Sequence, residues 1–164
     1  MFKEKQLVMY GTTGVCRVVE IGTPDFASEE GRKYYYLEPV YQSGMIYAPV
    51  DNERIPIRAI VSKKEANELI DGIGKVRVKS FTPQSLQQLS QHYQEIIDKH
   101  SCQSLIELIK SVNKKEKEAI KKNKKLGQID RRYLKLAEDL LYGELAASLG
   151  KEKSDIAEMV GEKL

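Results

Sequence analysis

A single change of period at Ser62 constrains this fold more than any other feature. Up to that point apolar and aromatic residues come in short runs separated by turn formers; beyond it they recur every three or four positions to the end of the chain. Strand-type runs followed by helix-type runs, with no return, describe an α+β chain in two parts rather than an alternating βαβ sheet. The 164 residues suffice for one domain or two small ones, and 41% hydrophobic composition supplies a core.

The first part predicts strands over residues 6–10, 15–21, 34–41, 45–49 and 57–60, all rich in β-branched or aromatic residues. Turn chemistry separates them: Gly11-Thr12-Thr13-Gly14, a loop opening at Thr23-Pro24-Asp25 and running to Gly31, and Gln42-Ser43-Gly44. Five short antiparallel strands predict a small barrel or curled sheet. The glycine cluster at 11–14 lacks both the Gly-Lys-Ser/Thr end of a P-loop and the third glycine of a dinucleotide fingerprint, so a hairpin turn is expected there.

In the second part Ser62 and Glu65 form a capping box for a short helix that stops at Gly72. Residues 72–82 read as a connection. Thr82 as cap and Pro83 at the first helical position predict a helix with Leu86, Leu89, Tyr93, Ile96 and Ile97 on one face. The next starts at Ser101 or Ser104, where Ser104 and Glu107 offer a second capping box. It turns Leu105, Leu108, Ile109, Val112, Ala119 and Ile120 inward and runs to about Lys125. A third, capped by Asp130, reaches Gly150, and a short one follows Ser154. The expected domains are residues 1–62 for the β part, 63–80 for the short helix and connection, and 81–164 for an all-α helical bundle.

A net charge of +3 hides an uneven distribution. Residues 1–60 and 61–109 are near neutral, residues 136–164 are acidic, and residues 110–135 hold 11 Lys or Arg against 3 Asp or Glu, a local +8. Lys114, Lys115, Lys117, Lys121, Lys122, Lys124 and Lys125 are expected in one helix, with Arg131 and Arg132 at the next turn. The helix macrodipole accounts for lysines in the last turn but not for the earlier ones. Phosphate attraction is the reading preferred over a merely solvated face. A lysine-dominated stretch without interleaved aromatics suits backbone contact rather than base reading.

Other chemistry is thinly represented. His92 and His100 stand without a second ligand pair, and Cys16 and Cys102 are far apart, so no metal, disulfide or cofactor is expected. Cys102 beside a helix start is the cysteine with a setting that can activate a thiol, although small buried hydrophobes are the expectation for both. No nucleophile elbow or His-Glu-x-x-His occurs, which argues against an enzyme and a small-molecule ligand. The start Met1-Phe2-Lys3-Glu4-Lys5 has no apolar signal region, and no run is long enough to span a bilayer, so a cytoplasmic protein without membrane contact is expected. Six of the nine tyrosines fall in the first forty-seven residues. Most fit cross-strand packing, while Tyr47, alternating with Ile46 and Ala48, equally suits a partner-facing position.

The order of these parts resembles the CarD family of bacterial transcription regulators, and particular residues carry the likeness. Val8-Met9-Tyr10-Gly11-Thr12-Thr13-Gly14-Val15 is similar to the family's Val-Val-Tyr-Pro-x-His-Gly-Val segment. Tyr35-Tyr36-Leu37-Glu38-Pro39-Val40-Tyr41, Met45-Ile46-Tyr47-Ala48-Pro49-Val50-Asp51-Asn52, and Ile57-Arg58 followed by Ser62 resemble its later strands. Tyr133-Leu134-Lys135-Leu136-Ala137-Glu138-Asp139-Leu140-Leu141-Tyr142-Gly143-Glu144-Leu145-Ala146 resembles its closing helix.

The resemblance implies a Tudor-like N-terminal β-barrel, shared with transcription-repair coupling factors, that binds the RNA polymerase β subunit by adding its sheet edge to a sheet there. Mapped by motif, the contact strand is Met45, Ile46, Tyr47, Ala48 and Pro49. It also implies a helical domain that touches promoter DNA and stabilises the open complex, where well-known members insert a tryptophan into the minor groove. This chain has no tryptophan, and Phe81 is the nearest aromatic substitute, as a wedge or as interdomain core. Gly11 and Thr13 replace the family's Pro and His, and Tyr47 stands where some members carry a basic residue.

The reading that follows is a regulator that docks on polymerase and touches promoter phosphates. A free-standing duplex DNA-binding protein and a pure protein adaptor are the alternatives.

Overall fold

The computed structural model describes residues 1–27, 30–79 and 81–164. Ser28 and Glu29 of the expected loop, and Ser80 at the expected edge of the helical domain, lie outside the described residues. Two compact units result, Met1–Val61 and Ser62–Leu164.

The first unit is one antiparallel sheet of β1 (Leu7–Tyr10), β2 (Gly14–Gly22), β3 (Tyr34–Pro39), β4 (Ile46–Pro49) and β5 (Ile57–Ala59), in the order β4-β3-β2-β1-β5. Period two sorts its side chains. Val8 and Tyr10, Cys16 and Val18, Tyr35 and Leu37, and Ala48 form the core on one face, with Phe2, Ile21, Ile46, Val50 and Ile57 packed against it. The sheet does not close: β4 and β5, four and three residues long, end the strand order on opposite sides, so the expected barrel is an open sheet. Between β1 and β2, Gly11 has φ +48°, and a Cβ there would stand 2.8 Å from Cγ2 of Ile55. Positive φ and close approach both call for glycine.

The second unit holds α1 (Lys63–Asp71), a 3-10 turn (Ile73–Lys75), α2 (Leu86–Asp98), α3 (Cys102–Lys121), α4 (Gln128–Leu149) and α5 (Lys153–Gly161). The Ser62–Glu65 capping box forms as expected: Glu65 N donates to Ser62 Oγ at 3.1 Å and Ser62 N to Glu65 Oε1 at 3.2 Å. Helix α4 packs against α1, α2, α3 and α5. Surrounded on so many sides, it buries Leu140 through Ala146 without a break.

Several helix ends differ from expectation. The N-cap of α2 is Ser85, not Thr82, so Leu86 is the first helical residue and is 72% exposed rather than inward. For α3 the cap is Ser101, one of the two expected starts, whose Oγ accepts from Ser104 N at 3.2 Å; the Ser104 hydroxyl donates to Ser101 O at 2.9 Å instead of opening the expected box with Glu107. That helix ends at Lys121, because Asn123 adopts φ +54° and Lys124 N closes on Ala119 O at 2.8 Å. Lys122, Lys124 and Lys125 therefore lie beyond the helix, and Ile120 is 64% exposed. Helix α4 begins at Gln128 with Gly127 as cap, while Asp130 sits inside its first turn. The last helix starts one residue before Ser154, with Glu152 and Asp155 in reciprocal capping contact. The segment read as a connection contains the 3-10 turn, and Lys110 of α3 pins it by donating to Ile73 O at 2.7 Å and Val76 O at 2.6 Å.

Candidate functional site

Two regions collect the residues singled out from sequence. The first is the open edge of the sheet. Val50 N donates to Lys33 O at 3.0 Å, and the β3–β4 register pairs Tyr35 with Ala48 and Tyr36 with Tyr47. In an antiparallel ladder, pairs that exchange hydrogen bonds alternate with pairs that do not. Ile46 and Ala48 thus turn their backbone groups toward β3, whereas Tyr47 and Pro49 turn theirs toward the side that no described strand pairs. Proline offers a carbonyl but no donor there. Of the five candidate residues, Ala48 is core, Ile46 and Pro49 are half-buried, and Met45 and Tyr47 are exposed at 41% and 42%.

Tyr47 stands in an aromatic group on the sheet face away from the core. Its ring meets Tyr36 at 4.9 Å and Phe26 at 5.1 Å between centroids, both edge-to-face, and Phe26 also meets Tyr34 at 5.9 Å. Partial burial, followed by the Glu20 carboxylate, Tyr47 and Asp25, pushes the Tyr36 hydroxyl above its usual range. The period-two spacing of Tyr34 and Tyr36 was a legible sign of this face. Phe26 gave no sign, since it enters from a loop.

The second region is the basic stretch. Lys114, Lys117, Lys121, Lys122, Lys124, Lys125, Arg131 and Arg132 are exposed. Lys115 is half-buried, its Nζ 2.9 Å from Asp130 Oδ1, and the Arg132 guanidinium lies 5.2 Å from the Tyr133 ring centroid. Phe81 is 39% exposed and stacks on His92, with centroids 3.8 Å apart and planes 7° from parallel. A cleft of about 260 Å³ brings Phe81 together with Lys79, Lys114 and Lys115, with Ser111 and Glu118 on its wall. Burial holds the His92 imidazole below its usual range.

The remaining candidates are structural. His100 has φ +52° and closes α2 by donating its N–H to Ile97 O at 3.0 Å. Cys102 is buried with Sγ 3.2 Å from Glu144 Oε1, the reverse of the exposed, electropositive setting of a reactive thiol. Burial raises the Cys16 thiol to about 11. Among the described residues no three His, Cys, Asp or Glu side chains could hold a metal ion, and no helix is long and apolar enough to cross a membrane.

No curated protein matches this chain. A family model described as CarD-like/TRCF RID domain matches residues 2–61, which span the five strands and the edge at residues 45–49. That domain type is a protein-interaction module rather than a catalytic one. Residues 2–61 are thus a CarD-like RNA polymerase-interacting domain, and the protein is one that carries it.

Proposed function

We propose that this chain is a non-enzymatic, cytoplasmic regulator of bacterial transcription that docks on the RNA polymerase β subunit by adding β4 to a sheet there. The carrying observation is that residues 45–49 lie at an unpaired sheet edge inside a CarD-like RNA polymerase-interacting domain. Strand addition takes affinity from backbone hydrogen bonds and specificity from alternate side chains. Tyr47, with Met45 beside it, is the residue this edge presents.

The helical unit extends the reading to promoter DNA. Lys114, Lys117, Lys121, Lys122, Lys124, Lys125, Arg131 and Arg132 supply phosphate contacts, with Phe81 and Lys115 at the neighbouring cleft, and together they modulate open-complex stability. Docking on polymerase raises the local concentration of DNA, so weak phosphate contacts without base specificity suffice. The adaptor alternative keeps the polymerase contact and drops the DNA. One observation favours it: Lys110 and Lys115 spend their ammonium groups on internal partners, which reduces the free charge of the basic stretch.

The test is direct binding of the full chain to purified bacterial core RNA polymerase. Wild-type protein is expected to bind, and Tyr47→Pro, which removes a donor from the open edge without removing a β3–β4 hydrogen bond, is expected to weaken it. Absence of wild-type binding, or an unaffected Tyr47→Pro, overturns the docking reading.

A further inference from the structure

The sheet edge carries more information than its backbone. Glu20 of β2 is the cross-strand partner of Tyr36, and Tyr36 is the partner of Tyr47, so these three form one row across β2, β3 and β4 on the face away from the core. The row stops at Tyr47, whose backbone groups point off the sheet. Any strand added there lengthens the row by one residue, whose side chain lands beside the Tyr47 ring.

That position has a definite chemistry. The Tyr47 ring meets both Tyr36 and Phe26 edge-to-face while remaining 42% exposed. Two carboxylates act at the Tyr36 end of this group: Glu20, the cross-strand partner of Tyr36, and Asp25, which precedes Phe26 in the chain. Both are exposed, and neither has an ion-pair partner among the described residues. Both act on the Tyr36 hydroxyl, which places their field at the aromatic group. Ring faces backed by negative charge attract a cation more than an apolar side chain or a carboxylate. The same group already receives one. The Arg32 guanidinium lies 5.6 Å from the Tyr34 centroid, its charge compensated by Asp51 at 3.4 Å. The Tyr34 end of the aromatic group is therefore occupied by a paired cation, while among the described residues no Lys or Arg lies over the Tyr47 ring.

We propose that this edge selects a partner strand bearing an arginine or lysine at the position paired with Tyr47, the cation lying against the Tyr47 ring in the field of Glu20 and Asp25. The proposal rests on the docking reading and names the side-chain chemistry that the docked strand must bring.

The experiment measures Kd of the full chain for core RNA polymerase across a salt series, with thermal unfolding of each variant as a check on the fold. Tyr47→Phe keeps the ring and is expected to stay within about 2-fold of wild type. Tyr47→Leu, which keeps an apolar side chain but loses the ring, is expected to bind about 3- to 10-fold more weakly. Glu20→Gln with Asp25→Asn, which changes two exposed side chains, is expected to lose a similar factor and to flatten the salt dependence. If Tyr47→Leu does not fold, the carboxylate pair decides alone. Wild-type affinity in either the Tyr47→Leu or the carboxylate variant overturns the proposal. Provided wild type binds and Tyr47→Pro weakens binding, that outcome leaves the docking reading standing; loss of those two results removes both.

Discussion

Lys115 on α3 donates to Oδ1 of Asp130 on α4 at 2.9 Å, and the same oxygen accepts the hydroxyl of Tyr93 from α2. Three helices thus converge on one carboxylate that is only 4% exposed. Asp130→Ala leaves the buried Tyr93 hydroxyl without its acceptor and is expected to cost about 2–3 kcal/mol. Lys115→Met costs less, on the order of 1 kcal/mol, because the lysine side chain is 42% exposed and screened. Urea unfolding followed by circular dichroism ranks the two.

The same pairing separates the lysines as DNA ligands. Replacing Lys121, Lys122, Lys124 and Lys125 by Gln removes four exposed cations, and each phosphate that is no longer neutralised lowers the slope of log K against log salt by about 0.9. A drop of up to about 3–4 in that slope is expected on duplex DNA. Lys115→Met is expected to change the slope by well under one. If the four-lysine variant binds DNA as wild type does, the adaptor reading holds.

The Phe81–His92 stack has a pH signature. Burial is the leading cause that holds the His92 imidazole below its ordinary value of 6.5; Lys99 adds to it and Glu95 opposes it. Below about pH 6.5 the unfolded chain takes up this proton more readily than the folded one, so the stability contributed by neutral His92 is present above that pH and lost as the pH falls. Urea midpoints of wild type and His92→Phe, which keeps an aromatic partner for Phe81, are expected to diverge between pH 8 and pH 5. Wild type loses more on acidification.

At Gly11 two penalties combine. Gly11→Ala is expected to destabilise the sheet unit by about 1–3 kcal/mol, through positive φ and through the clash with Ile55. Adding Ile55→Ala removes the methyl group that a Cβ would strike and recovers the steric share. The residual cost is the conformational one. A double-mutant cycle by urea unfolding separates them.

The change of period at Ser62 revealed both units, because alternation and helical spacing are set by burial of one face and survive any detail of packing. Helix ends were less legible. Thr82, Ser85, Ser101, Ser104 and Asp130 all have capping chemistry, and tertiary contacts decide which is used. Asp130 shows the reason: its carboxylate faces Tyr93 and Lys115, so Gly127 takes the terminal position by backbone conformation alone. Asn123 stops α3 at Lys121, short of the expected end near Lys125, since asparagine also tolerates the left-handed region. At the sheet edge, family likeness pointed to residues 45–49, of which Ile46–Pro49 form the outer strand β4. Phe26 was not, because a loop residue has no periodicity to betray its neighbours.

Pro49 gives the open edge a further property. Of the two residues of β4 whose backbone faces outward, only Tyr47 can both give and receive a hydrogen bond. An arriving strand is rewarded in one alignment and gains little by sliding. Two copies of this chain meeting edge to edge would each bring the same blank, so their ladder stalls after one pairing instead of propagating. Pro49 thus gives the β4 edge a fixed depth that disfavours pairing with a second copy of itself.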